Sequence, residues 1–129
     1  MPERSRDWLR QAEADLQLAR SARDIGRHEW SCFASQQAAE KAVNGLYQRL
    51  HMEARGHALT ALLEYLPDQS KPSAELMDKA RVLDRHYIPT RYPNGFERGA
   101  PMDFYSRKDA DVAIEHAEAI VEFCKSILG

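Results

Sequence analysis

Glu29-Trp30-Ser31-Cys32-Phe33-Ala34-Ser35-Gln36-Gln37-Ala38-Ala39-Glu40-Lys41-Ala42-Val43-Asn44-Gly45-Leu46-Tyr47-Gln48-Arg49-Leu50 is the stretch that decides how this chain folds. Ala34, Ala38 and Ala42 stand four residues apart, and Gly45 follows three further on. On a helix that spacing gathers small side chains on one face. A face of that kind lets a neighbouring backbone approach closely, so this helix is expected at the centre of a helical bundle.

Upstream, Trp8, Ala12, Leu16 and Ala19 recur at three- and four-residue spacing across about Ser5 to Asp24. Ser5 is read as the N-cap of that helix and Gly26 as the stop behind it. Downstream, a short apolar segment from Ala58 to Leu66 ends at Pro67, and a polar turn leads to Pro72. Ser73 then caps a helix expected to reach about Ile88, with Leu76, Ala80, Leu83 and Tyr87 on one face. The stretch from Pro89 to Tyr105 carries three prolines and two glycines and cannot continue that helix. A connection of this length is either functional or an ordered surface loop. Ser106 and Asp109 form a capping-box start for the last helix. Its apolar stripe runs through Ala110, Ala113, Ile114, Ala117, Ile120, Val121, Cys124 and Leu128.

No alternating strand pattern and no internal repeat appears. The expectation is therefore an all-α, up-and-down four-helix bundle with an additional short helix and a Pro/Gly-rich loop before the last helix. One domain should take in residues 1–129. Apolar residues make up 43% and charged residues 29%, with a net charge of -2. That balance excludes a generic polyanion binder with a uniformly basic surface, though not a local basic patch. No stretch approaches the roughly 20 apolar residues of a membrane span, and the charged N-terminus lacks the apolar run of a secretory signal. A cytoplasmic location follows as the expectation. Cys32 and Cys124 fall among apolar helical positions and read as buried thiols.

Three stretches carry a resemblance: Cys32 to Ala42 on the second helix, Gly56-His57 before the short helix, and Leu83-Asp84-Arg85-His86-Tyr87-Ile88-Pro89-Thr90-Arg91-Tyr92-Pro93-Asn94. A QQAAEKA-type helix, a GH pair and an RYP loop in this order resemble the HEPN family (higher eukaryotes and prokaryotes nucleotide-binding), over essentially the whole chain. The resemblance implies a helical bundle, a homodimer with a groove between subunits, and a link to nucleotides or RNA. Some members are metal-independent ribonuclease toxins held in check by a minimal nucleotidyltransferase partner in a toxin–antitoxin pair. Others have no established activity, and the readings for this chain are a nucleotide- or RNA-linked binding module partnering a nucleotidyltransferase, an active ribonuclease, or a structural homodimeric interaction module.

Ribonuclease members carry an Arg, four to six residues, then a His, and Arg81 and His86 meet that spacing. The His can take a 2′-hydroxyl proton while the Arg offsets charge on the phosphate. A separation of five turns the two side chains about 140° apart on an ideal helix, so they converge only where the helix ends or a second subunit contributes. A partly exposed pair near a helix end is the alternative. Arg91 can clamp a phosphate and Tyr92 can stack on a base, or both can serve the loop, Arg91 by bonding helix-end carbonyls. Gln37, Lys41 and Asn44 share one polar stripe, lining either a ligand groove or a solvated face. His57 is either a ligand contact or a cap for the short helix. None of the five histidines has a carboxylate three residues before it, and no phosphate-cradling Gly-rich loop precedes a Lys, so neither a metal nor a cofactor is expected.

Overall fold

Five α-helices carry the regular structure of the computed structural model, which describes residues 3–129: α1 (Ser5–Asp24), α2 (His28–Arg49), α3 (Leu59–Glu64), α4 (Ala74–Asp84) and α5 (Arg107–Leu128). No strand occurs among the described residues. The expected all-α bundle is what forms, with α2 packed against every other helix. Ala38, Ala39, Ala42, Val43 and Leu46 of α2 are fully buried between Ala12 of α1 and the Ala113, Ala117, Ile120 and Cys124 row of α5. Gly45 explains how close α1 comes. A methyl group added there would sit 3.1 Å from the Ser5 carbonyl oxygen and 3.2 Å from Trp8 Cβ.

The ends of the helices follow their local chemistry. Gly26 takes φ +84° and stops α1, a conformation that costs glycine little. Ser73 accepts from the Leu76 N–H at 3.1 Å. Ser106 and Asp109 exchange both bonds of a capping box, at 3.2 and 2.9 Å. Ser5 is not the N-cap the sequence suggests but the first residue of α1, and it is buried. Its N–H goes to Glu3 Oε1 at 2.7 Å, and its hydroxyl accepts from Arg49, which also bonds the Leu128 carbonyl at 2.8 Å. Arg4 takes the N-cap position, and the Ser5 hydroxyl instead meets Arg49 where three helix ends join.

Helix α4 stops at Asp84 rather than continuing to Ile88. Arg85, His86 and Tyr87 donate to Val82, Leu83 and Asp84, three residues back instead of four, and Pro89 has no N–H to offer. The Asp84 side chain caps α3 across space, accepting from the N–H groups of Leu59 at 2.7 Å and Thr60 at 3.2 Å and from the Thr60 hydroxyl at 2.8 Å. That carboxylate takes the capping role considered for His57.

The segment from Pro89 to Tyr105 is ordered by its own contacts. Thr90 is buried with its hydroxyl on the His86 carbonyl at 2.6 Å. Single 3₁₀ turns form at Pro93–Gly95 and Pro101–Asp103, and Phe96 stacks on Phe104 with ring centroids 4.3 Å apart. Both cysteines are free and buried, and burial pushes each thiol up to about 12, so neither is a nucleophile at neutral pH. No helix among the described residues is long and apolar enough to cross a membrane.

The α1–α2 contact gives a direct test. Replacing Gly45 with valine forces branched atoms against backbone and should cost about 1–3 kcal/mol, read as a lower melting midpoint. An unchanged midpoint would mean that the two helices separate without penalty.

Candidate functional site

The turn after α4 returns to the surface of α2, and the two meet through aromatic rings. Phe33 lies one turn into α2, edge-on to Trp30 with centroids 5.9 Å apart and tilted against Tyr87 at 6.2 Å. Arg91 enters this group from the loop. Its guanidinium carbon lies 4.5 Å from the Phe33 centroid, 4.7 Å from that of Tyr87 and 5.1 Å from that of Tyr92. Each contact of this kind contributes about 0.5–1 kcal/mol at an exposed site. Arg91 Nε donates to the Tyr87 carbonyl at 2.9 Å, in the turn beyond the end of α4. Its two Nη groups have no hydrogen-bond partner among the described residues. Tyr92 is 47% exposed and Trp30 50%, so the cluster that holds Arg91 reaches solvent through half-exposed aromatic side chains.

Beside this cluster runs a groove of about 400 Å³ lined by Asp15, Leu18, Trp30, Phe33, Gln37 and Lys41. Gln37 and Lys41 therefore both reach the groove. Lys41 is held there by Asp15 of α1 in a mostly buried ion pair. Asn44, the third member of the stripe, bonds the Glu40 carbonyl on its own helix at 3.0 Å. Gln37 donates to Gln36 at 2.7 Å and Gln36 to Glu40 at 3.2 Å, and Glu40 faces His57 Nδ1. The rings of His57 and Tyr87 stack at 4.7 Å and 17°. Arg91, Tyr92, Gln37, Lys41 and His57 thus share one side of the molecule.

Arg81 and His86 occupy different surroundings. Arg81 pairs with Asp78 on the exposed face of α4 and lines a groove with Leu63, Lys71 and Met77. His86 lies past the end of α4 with its ring edge-on to Tyr105 at 5.7 Å. Its Nδ1 is buried with no hydrogen-bond partner among the described residues, and so is that of His116. Burial, the largest effect on both rings, holds them below the ordinary imidazole range. Among the described residues, no three His, Cys, Asp or Glu side chains converge as a metal-holding group.

The sequence reading left Phe33, Tyr87 and Glu40 out of the site. Phe33 and Tyr87 lie on the apolar faces of their helical patterns, where they read as core. The usable signal was that an Arg-Tyr-Pro loop follows Tyr87 and must fold back somewhere.

An all-helical bundle with a loop arginine seated among rings on its central helix defines a class of small helical domains. The HEPN domain model matches residues 5–127, and the chain belongs to the HEPN family. A candidate toxin of Methanocaldococcus jannaschii is 28% identical over 131 aligned positions, covering 94% of this chain and 86% of that protein. The crystal structure of TT1696 from Thermus thermophilus superposes with a TM-score of 0.94 at 39% identity, over 97% of this chain and 98% of that one. An archaeal HEPN homologue, ST0689, covers both chains completely at 41% identity and a TM-score of 0.84. A HEPN domain protein from Thermotoga maritima is 34% identical over 95% of this chain and 97% of that one, with a TM-score of 0.77.

The buried imidazoles set a pH response. Folding favours the neutral rings of His86 and His116, so the unfolded chain takes up protons first as pH falls. Their contribution to stability is complete above 6.5, the ordinary value of the group, and is lost progressively below it. The melting temperature should therefore fall between about pH 7 and pH 5, less steeply in a His86→Gln/His116→Gln variant. Equal slopes would remove these rings as the cause.

Proposed function

We propose that this protein is a nucleotide- or RNA-linked helical binding module, the HEPN member of a toxin–antitoxin-like pair whose partner is a minimal nucleotidyltransferase. The observation that carries this reading is Arg91. A guanidinium stacked on Phe33, Tyr87 and Tyr92 with both Nη groups uncommitted is a fork ready for a phosphate. Trp30 and Tyr92 are half exposed, and aromatic rings of this kind are what a base stacks on. Gln37 and Lys41 line the adjoining groove, where Gln37 supplies a hydrogen-bonding amide and Lys41 a charge shared with Asp15. The relative described as a candidate toxin supports the toxin–antitoxin setting.

Binding rather than autonomous cleavage is favoured because Arg81 is engaged with Asp78 while His86 packs on Tyr105. Total RNA incubated with the purified protein in EDTA should stay intact, and an Arg81→Ala/His86→Ala variant should behave identically. Cleavage by the native protein and not by the variant would make it a metal-independent ribonuclease instead.

The binding claim is tested by melting the protein with an oligoadenylate or ATP at millimolar concentration. Ligand at about 100 times its dissociation constant stabilises by about 2.7 kcal/mol, a shift of several degrees. Arg91→Ala should abolish the shift, measured against its own ligand-free melt. Arg91→Lys should retain only part of it, since lysine has no planar fork. An undiminished shift in Arg91→Ala would remove this residue from the site.

A further inference from the structure

His57 ends the aromatic row with a feature that the phosphate fork does not use. Its Nδ1 lies 3.2 Å from each carboxylate oxygen of Glu40, whose side chain is only 10% exposed. Gln36 donates to the same carboxylate at 3.2 Å and Tyr87 stacks on the imidazole, so the ring is held by its polar edge and by one face. The side chain is nevertheless 57% exposed, and Nε2 has no hydrogen-bond partner among the described residues.

A carboxylate beside Nδ1 claims the Nδ1 proton in both the neutral and the charged ring. Protonation therefore occurs at Nε2 and converts it from acceptor to donor, on the side facing solvent. Arg91 sits against the same Tyr87 ring, its guanidinium carbon 4.7 Å from the centroid, the separation that His57 also keeps.

Few charges surround this ring. Glu40 faces His57 from α2, with neutral Gln36 beside it, and Tyr87 and Arg91 face it from the turn after α4. Asp84 is consumed by the N–H groups of α3, and Arg55 is paired with Glu53. With His57 neutral, the formal charges of Arg91 and Glu40 offset one another, and the fork binds an anion without a net positive field behind it. One proton on His57 leaves a net positive charge, with donors on two groups that both pack against Tyr87.

We propose that His57, oriented by Glu40, is the second pole of a phosphate site whose first pole is Arg91, and that its Nε2–H donates to a phosphate oxygen of a nucleotide ligand. This rests on the Arg91 reading above and adds its regulation, since anions are held when His57 carries a proton. His57 contacts the ligand in this scheme, and Glu40 is a positioning residue.

Titration calorimetry of the native protein, His57→Gln and Glu40→Gln at about pH 8 and about pH 6 tests it. The probe is a short oligoadenylate with hydroxyl ends, because a diester keeps its charge whereas a terminal phosphate itself titrates near pH 6. Native affinity should rise about tenfold at the lower pH, the size of one charge-assisted hydrogen bond. His57→Gln should bind equally at both. Glu40→Gln should bind more tightly than native at pH 8, because an offsetting negative charge is gone. AMP in a parallel arm separates a terminal phosphate, which should show the same dependence on His57, from an internal diester. Affinity that does not change with pH, or a change that persists in His57→Gln, overturns the proposal and leaves the Arg91 site standing. No binding at either pH overturns both.

Discussion

The carboxylate of Asp84 accepts from the Leu59 and Thr60 N–H groups and from the Thr60 hydroxyl, and the arrangement of the site depends on this contact. It occupies the orphan donors at the start of a six-residue helix that could not persist alone in water. It also fixes where two loops must lie. His57 stands two residues before Leu59, and Tyr87 stands three residues after Asp84. Pinning Leu59 to Asp84 delivers both rings to the same surface of α2, where they stack. Arg91 arrives one turn later on the chain that this contact has aimed.

Helix α2 supplies the floor, and it does so by having two unlike sides. Ala38, Ala42 and Gly45 are buried and let α1 and α5 close in. Trp30, Phe33, Gln37 and Lys41 remain at the rim of the groove. Much of the remaining surface of α2 is also buried, including the polar side chains Ser31, Ser35, Gln36 and Glu40. Ser31 satisfies itself on the Ala19 carbonyl at 2.7 Å, and Gln36 and Glu40 satisfy one another. An unpaired buried polar group costs about 1–3 kcal/mol, and on this face the Ser35 hydroxyl is the exception, buried with no hydrogen-bond partner among the described residues.

The fold was legible wherever local chemistry decides it. The Ala/Gly strip, the Ser73 cap, the Ser106–Asp109 box and Gly26 each act within one turn, and each is where the pattern puts it. What escaped the sequence is long-range. Nothing in the spacing shows that Asp84 serves a helix 25 residues earlier, so α4 reads too long and His57 reads as a cap. Ser5 reads as a cap because its partner, Arg49, is 44 residues away. The candidate site divides along the same line between what the sequence shows and what only packing shows. Its polar members stand out by type, and Arg91, Tyr92, Gln37, Lys41 and His57 fall on one side of the molecule. Its aromatic walls, Phe33 and Tyr87, match the core pattern and differ from it only in what packs on them.

Those walls bear on the cost of association. An arginine side chain on an open surface samples many rotamers, and fixing it on a ligand forfeits about 2 kcal/mol of that freedom. Arg91 has already surrendered most of it to three rings and to the Tyr87 carbonyl. That loss is borne by folding, so under the proposed reading a larger share of any contact the fork makes would survive as affinity. A flexible-looking Pro/Gly loop thereby presents a charge restrained by three rings and one carbonyl.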